Sequence, residues 1–166
     1  MRLFEGLINK VSAMAAAAEQ LGWTTERPDY AEIDARQDVR DVDRRLGRLL
    51  DRAQSAGGPL VLAGSSMGAF ISALATHDLG ADSRCVGLFL IAPPTALPGY
   101  ARPLEAAKVP TTVIHGWQDE VCPVAPVIDW AGRRRDRLIV VDDGHRLDRH
   151  VAFCAEEFSR FLQALA

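Results

Sequence analysis

Five residues near the middle of the chain, Gly64-Ser65-Ser66-Met67-Gly68, fit the pattern Gly-x-Ser-x-Gly. A serine hydroxyl is a weak nucleophile at neutral pH, so the chemistry this pattern suggests also needs a base to take the proton and an acid to orient that base. The flanks give the pattern its weight. The apolar run Leu60-Val61-Leu62-Ala63 precedes it, and a segment rich in small residues, Met67 to His77, follows. A sharp strand-to-helix turn holds its central serine in a strained backbone conformation, with the hydroxyl exposed at the C-terminal edge of a sheet. Ser66 would then stand at a helix N-terminus, where the dipole favours developing negative charge, and the Met67 amide is the natural oxyanion donor. A glycine-rich turn with a capping serine would use the same residues, but a strand before and a helix after favour the nucleophile.

On such a turn the partners follow in the order serine, acid, histidine. Of the four histidines, His145 lies in Asp142-Asp143-Gly144-His145, directly after the apolar run ending at Val141. That puts it on the same sheet edge as Ser66. His115 also follows a strand-like run but precedes the acid candidate, and it is expected to help shape its loop. His77 falls at a helix end and His150 within or beside the last helix. For the acid, His115-Gly116-Trp117-Gln118-Asp119-Glu120 follows the run ending at Ile114, and Asp119 is the carboxylate best placed, with Glu120 its neighbouring alternative. Asp142 and Asp143 are read as turn formers.

The elements that must position these residues follow from periodicity. Leu7, Val11, Met14, Ala18 and Leu21 recur at helical spacing and stop at Gly22, a plausible C-terminal cap. Trp23 to Arg27, rich in β-formers and ended by Pro28, reads as a short strand. Asp34 can cap a helix whose Val39, Val42, Leu46, Leu49, Leu50 and Ala53 make one apolar stripe beneath a solvated arginine and aspartate face. Leu60–Ala63, Val86–Ile91, Thr111–Ile114 and Leu138–Val141 are apolar at every position, as strands covered on both faces are. Helical candidates lie between them: Met67–His77, Ala125–Arg133 and a last one bearing Val151, Cys154, Phe158, Phe161, Leu162 and Leu165. Alternating strands and helices predict an α/β fold, a three-layer α/β/α sandwich with a mainly parallel sheet. The stretch Ala92–Pro110 has room for a loop and one short helix. Pro93, Pro94, Pro98 and Pro103 stiffen it, and Leu97 and Tyr100 would either line a pocket or pack over the sheet.

Length and composition agree with one domain spanning residues 1–166. At about 150 residues per domain there is no room for a second, and 48% apolar with 25% charged residues is the balance of a globular protein. Nineteen basic against 22 acidic residues, net −3, leave no electrostatic footprint for nucleic acid. Glu5, Asn9 and Lys10 interrupt any apolar N-terminal stretch, and no run approaches the ~18 apolar residues of a membrane span. Neither a nucleic acid nor a membrane is therefore expected as partner. Cys85, Cys122 and Cys154 lack Cys-x-x-Cys spacing, so reduced, mostly buried thiols in a cytoplasmic protein are expected. No metal motif and no phosphate loop occurs, and no cofactor is implied.

With these residues in view, the sequence resembles the α/β-hydrolase superfamily, and more narrowly the small lidless bacterial hydrolases of esterase-like and serine-aminopeptidase-like type. Gly64-Ser65-Ser66-Met67-Gly68 is similar to their nucleophile elbow, His115-Gly116-Trp117-Gln118-Asp119 with Pro123 to their acid loop, and Asp143-Gly144-His145-Arg146-Leu147 to their histidine loop. Lys10-Val11-Ser12-Ala13 and Arg27-Pro28-Asp29-Tyr30 resemble their first helix and second strand. The resemblance implies a catalytic triad of Ser66, Asp119 and His145 acting on a small acyl substrate. The N-terminus departs from it. Members of the group begin with an apolar strand ending in His-Gly, followed by a glycine-rich loop that supplies a second oxyanion N–H. Here Met1-Arg2-Leu3-Phe4-Glu5-Gly6 leaves a stub at most, with Glu5 or Gly6 as donor, so that the N-terminal strand is short or missing. An upstream in-frame strand with a His-Gly pair would restore the segment. The two functional expectations are a serine hydrolase cleaving a small ester, thioester or amide, and a catalytically weak or inactive scaffold binding a small molecule or a protein partner.

Overall fold

A computed structural model of the chain describes residues 2–27, 41–80 and 84–165. Helix α1 spans Arg2–Gln20 and α2 spans Asp41–Ser55. Then β1 (Leu60–Ser65), α3 (Met67–Leu79), β2 (Cys85–Ile91), β3 (Thr111–Gly116), α4 (Val124–Arg134), β4 (Arg137–Val141) and α5 (Val151–Leu165) follow in turn. The four strands form one parallel sheet in the order β1-β2-β3-β4. Right-handed crossovers in a sheet of sequential order bring α3 and α4 to the same face.

Side chains alternate between two cores, as period-two strands require. Leu62, Leu88, Leu90 and Val113 join Val42, Leu46, Phe70, Leu74, Val127 and Trp130, the inward sides of α2, α3 and α4. Phe89, Ile91 and Ile114 face the other way, onto Met14 and Ala18 of α1 and Cys154, Phe158, Phe161 and Leu162 of α5. The three-layer α/β/α sandwich is the predicted one. On the second face the Phe89 ring lies 4.9 Å from Phe158 and 5.5 Å from Phe161, pairs that contribute about 0.5–1.5 kcal/mol each beyond their buried area.

Gly22, at φ 88°, ends α1 as expected, but Leu21 is exposed, and the buried stripe of that helix includes Lys10. Trp23–Arg27 forms no strand. The Trp23 amide donates to Ala18 O (3.1 Å), Thr25 Oγ1 to Glu19 Oε1 (2.6 Å) and Arg27 to Ser12 Oγ (2.9 Å). The Trp23 backbone bond and the two side-chain bonds fold the segment back on α1, so local β-preference is overridden. The proposed cap Asp34, together with Val39, Pro28, Asp29 and Tyr30, lies outside the described residues.

The connection from β2 to β3 contains no helix. It packs over α2, α3 and α4: Leu104 is buried in the first core with Leu97, Tyr100, Ala106 and Val109 against it. Trp130 Nε1 donates to Leu104 O (2.9 Å), and Tyr100 meets the Phe70 ring edge-on and donates to Asp43 Oδ1 (2.6 Å). Of the two roles open to Leu97 and Tyr100, packing is the observed one.

Candidate functional site

The three residues singled out in sequence stand at the C-terminal ends of three strands of one parallel sheet. Ser66 follows β1 directly and has φ 56° and ψ −120°, a conformation in which non-glycine residues are strained. Its amide donates to Ile91 O (2.8 Å), and its carbonyl accepts from Ala69 and Phe70 N–H (3.0 and 3.1 Å), so the backbone is held from both sides. The turn is so tight that a Cβ on Gly64 would fall 2.3 Å from the carbonyl carbon and oxygen of Gly68. Only glycine fits at 64. Position 68 is different, because a Cβ there meets nothing within 4 Å; the close approach in this turn is required of Gly64 alone. Helix α3 buries an unbroken run from Ala69 to Thr76, which makes a rigid seat for the turn. The Ser66 hydroxyl does not cap that helix; it lies 2.9 Å from His145 Nε2.

His145 Nδ1 lies 2.7 Å from Asp119 Oδ2. A carboxylate accepts, so Nδ1 carries the proton and the Nε2 lone pair faces Ser66. Asp119 Oδ1 accepts the Val121 and Cys122 amides at 2.9 and 2.7 Å. Its side chain is fully buried, whereas that of His145 keeps 15% of its surface exposed. Glu120, the alternative acid, is exposed to solvent, and Asp142 is exposed and accepts from Gln118 Nε2 (2.8 Å).

The acid and histidine loops are bound to each other. The amides of Trp117 and Gln118 donate to Val141 O and Asp143 O (2.9 and 3.0 Å), and a Cβ on Gly116 would fall 2.3 Å from Asp143 O. Backbone this close tolerates only glycine.

Met67 is the first residue of α3, so its amide has no acceptor one turn back within the helix. Gly6 is different: it lies inside α1, where each amide is engaged by the carbonyl four residues back, and so it offers no free oxyanion donor.

No protein-family model matches the sequence, and no curated protein does. Among solved structures, a protein from Xanthomonas campestris pv. campestris, assigned to the hydrolases of the alpha/beta superfamily, is 46% identical to this chain; the match covers 94% of this chain and 90% of that one, with a TM-score of 0.88. This chain belongs to the α/β-hydrolase superfamily. Two further structures share the fold at lower identity. A serine hydrolase without lid from Xanthomonas campestris is 23% identical over 93% of this chain and 72% of its own (TM-score 0.63). An alpha-beta serine hydrolase homologue from Coxiella burnetii is 24% identical over 93% and 76% (TM-score 0.62).

Three supporting residues of this α/β-hydrolase escaped the sequence reading. Asp143 is an organiser of the histidine loop as well as a turn residue. Its Oδ1 accepts from the Gly144 amide (2.8 Å), and its Oδ2 accepts from the Arg149 amide (2.9 Å) and His150 Nδ1 (2.8 Å). Burial pushes its carboxyl up, but the bonds from His150, Gly144 and Arg149 outweigh that and hold it below the usual range. Lys10 is fully buried and donates from Nζ to Arg146 O, the residue after His145. Burial holds its ammonium below the ordinary lysine range, against the opposing pull of Cys154, Asp148 and Asp143. The signal for Lys10 was in the sequence: it stands in register with Met14 and Ala18 on one helix face. Cys122 is the third. A Cys122, Asp119 and His145 ligand atom all lie within 4.8 Å of one another, a spacing a soft cation could bridge. Both Asp119 oxygens and both His145 nitrogens are already engaged, however, and burial pushes the Cys122 thiol up to about 11, so the group is better fitted to holding a proton than a metal. Among the described helices none is long and apolar enough to cross a membrane.

Proposed function

We propose that this α/β-hydrolase is a serine hydrolase that cleaves a small carboxylic ester through an acyl-enzyme, with Ser66 as nucleophile, His145 as general base and Asp119 as its orienting acid. The observation that carries this reading is the continuous line from Asp119 Oδ2 through the His145 ring to Ser66 Oγ, at 2.7 and 2.9 Å. His145 Nε2 takes the Ser66 proton as Oγ adds to the acyl carbonyl carbon. The Met67 amide donates to the resulting oxyanion, and Asp119 stabilises the imidazolium. His145 then returns the proton to the leaving oxygen as the carbon–oxygen bond breaks. Water, deprotonated by the same nitrogen, hydrolyses the acyl-serine and regenerates the hydroxyl.

An alkoxide needs less help in leaving than an amine, which favours esters over amides. Trp117 and Val121 flank Asp119 in sequence and are 56% and 70% exposed; apolar surface on this loop supports an uncharged acyl group arriving from solvent. The three cysteines are buried thiols outside any disulfide, which supports a reducing compartment such as the cytoplasm.

A second reading, a catalytically weak or inactive scaffold for a small molecule or protein partner, is favoured by Gly6. Its amide belongs to the α1 ladder, and loss of one oxyanion donor costs about 10²–10³ in turnover. A fluorophosphonate probe separates the two readings. The hydrolase labels on Ser66, hydrolyses short p-nitrophenyl esters, and does neither as Ser66→Ala. Failure of the folded native protein to label would overturn the hydrolase reading.

A further inference from the structure

His115 ends β3 within a buried cluster, and neither the proposed reaction nor the Asp119–His145–Ser66 line uses it. Its side chain is fully buried. Nε2 lies 2.6 Å from Cys122 O, and because a carbonyl only accepts, Nε2 carries the proton. The same nitrogen lies 3.2 Å from Asp119 Oδ2, the oxygen that receives His145 Nδ1. Nδ1 of His115 is buried with no hydrogen-bond partner. A proton there would place an unsatisfied N–H and a positive charge in the core, and burial accordingly holds this imidazole below the ordinary histidine range. The ring therefore meets the carboxylate as a neutral N–H dipole and does not compete with His145 as a cation. It also closes the Asp119 turn from below: Cys122 gives its amide to Asp119 Oδ1 (2.7 Å) and its carbonyl to His115.

We propose that His115 is a positioning residue for the hydrolase reaction, a buried N–H donor that fixes the Cys122 carbonyl and thereby holds Asp119 against His145. This rests on the serine-hydrolase reading, and its test separates the two. His115→Gln carries an amide N–H to about the reach of Nε2, whereas His115→Asn falls about one bond short; both are polar and neutral.

The readout is the rate of fluorophosphonate labelling of Ser66 against probe concentration and pH, with ester hydrolysis alongside. The Gln variant should label within about threefold of the native rate. The Asn variant should lose about tenfold or more in the maximal labelling rate, at unchanged half-saturating probe concentration. Its acid limb should move to lower pH, because an Asp119 no longer held close stabilises the His145 imidazolium less. Equal rates and equal acid limbs in the two variants would overturn the proposal.

The low-field proton resonance of the Asp119–His145 hydrogen bond supplies a readout independent of activity. It should persist in the Gln variant and broaden or vanish in the Asn variant, and an identical resonance in both would overturn the positioning role. If native Ser66 does not label, the hydrolase reading fails, and this resonance still decides whether His115 positions Asp119. His115→Phe, which keeps the ring volume without a donor, should match the Asn variant.

Discussion

His145 Nε2 stands 2.9 Å from Ser66 Oγ although 79 residues separate them in the chain. Neither residue reaches the other by local structure. Ser66 is delivered by the turn from β1 to α3, and His145 by a loop three strands across the sheet. The loop is fixed from several sides: Asp143 binds its two ends, Gly116 lets the acid loop lie against it, and Lys10 holds the Arg146 carbonyl. In the proposed reaction, preorganisation of this kind would let a proton move at the moment of attack without rearrangement of the site.

Asp119→Asn should leave the fold intact but present an amide where His145 needs an acceptor, favouring the wrong tautomer. Labelling of Ser66 and ester turnover should fall by about 10³–10⁴. Glu120→Gln, at an exposed neighbour, should change neither by more than about twofold. Reversed results from the same kinetic assay would move the acid to Glu120.

Gly64→Ala drives a methyl into the Gly68 backbone at 2.3 Å, and backbone cannot swing aside as a side chain can. It should destabilise by about 3 kcal/mol or more, beyond the ~1–3 kcal/mol of ordinary overpacking, and silence Ser66. Gly68→Ala, facing open space, should stay within about 1 kcal/mol of native. Urea unfolding of the two variants measures the contrast.

Asp143 has a folded-state pKa below its ordinary value of 3.8. Its contribution to stability is therefore complete above the unfolded value, near 4, and is lost as pH falls through the lower folded value. Asp143→Ala should cost about 1–3 kcal/mol at neutral pH, since it strips the acceptor from the Arg149 amide and His150. The difference from native should shrink steadily below pH 4. Unfolding curves between pH 7 and pH 2.5 check both the size and the direction.

Lys10→Met keeps the length and buried stem of the side chain but removes the donor to Arg146 O. Ester turnover should fall as the histidine loop loosens. The pH dependence has a definite sign. Because the folded-state pKa lies below 10.5, the folded protein gives up this proton before the unfolded chain does. Native stability should rise relative to the variant as pH increases through the interval between the two values. A stability difference that stays flat from pH 7 to pH 10.5 would contradict the assigned environment of Lys10.

Largely apolar runs showed the parallel sheet in advance, because a strand covered on both faces, as β2 and β3 are, has little polar side to display, whereas the edge strands β1 and β4 keep partly exposed positions. The strand ends were less legible. Ser65 and Gly116 continue β1 and β3 beyond the apolar runs, since backbone pairing, and not side-chain character, ends a strand. Trp23–Arg27 misled for the opposite reason: its β-formers meet side-chain and helix-end partners instead of a sheet edge. The β2–β3 connection kept its prolines but gained no helix, because its apolar residues are drawn one by one onto α2, α3 and α4.

The candidate site divides along the same line. Residue type and order along the chain were enough to put forward Ser66, Asp119 and His145 as candidates, because a Gly-x-Ser-x-Gly turn, an acid and a histidine each follow a recognisable apolar run. What they could not contain was the cross-chain chemistry. Gly64 is obligatory because Gly68 backbone lies against it, burial pushes the His115 imidazole away from its charged form, and the bonds from His150 and two amides hold the Asp143 carboxyl below its usual range. Local sequence determined which side chains could do chemistry; packing alone decided their orientation and which neighbours hold them in place, since those depend on atoms brought close only when the sheet and its two helical layers assemble.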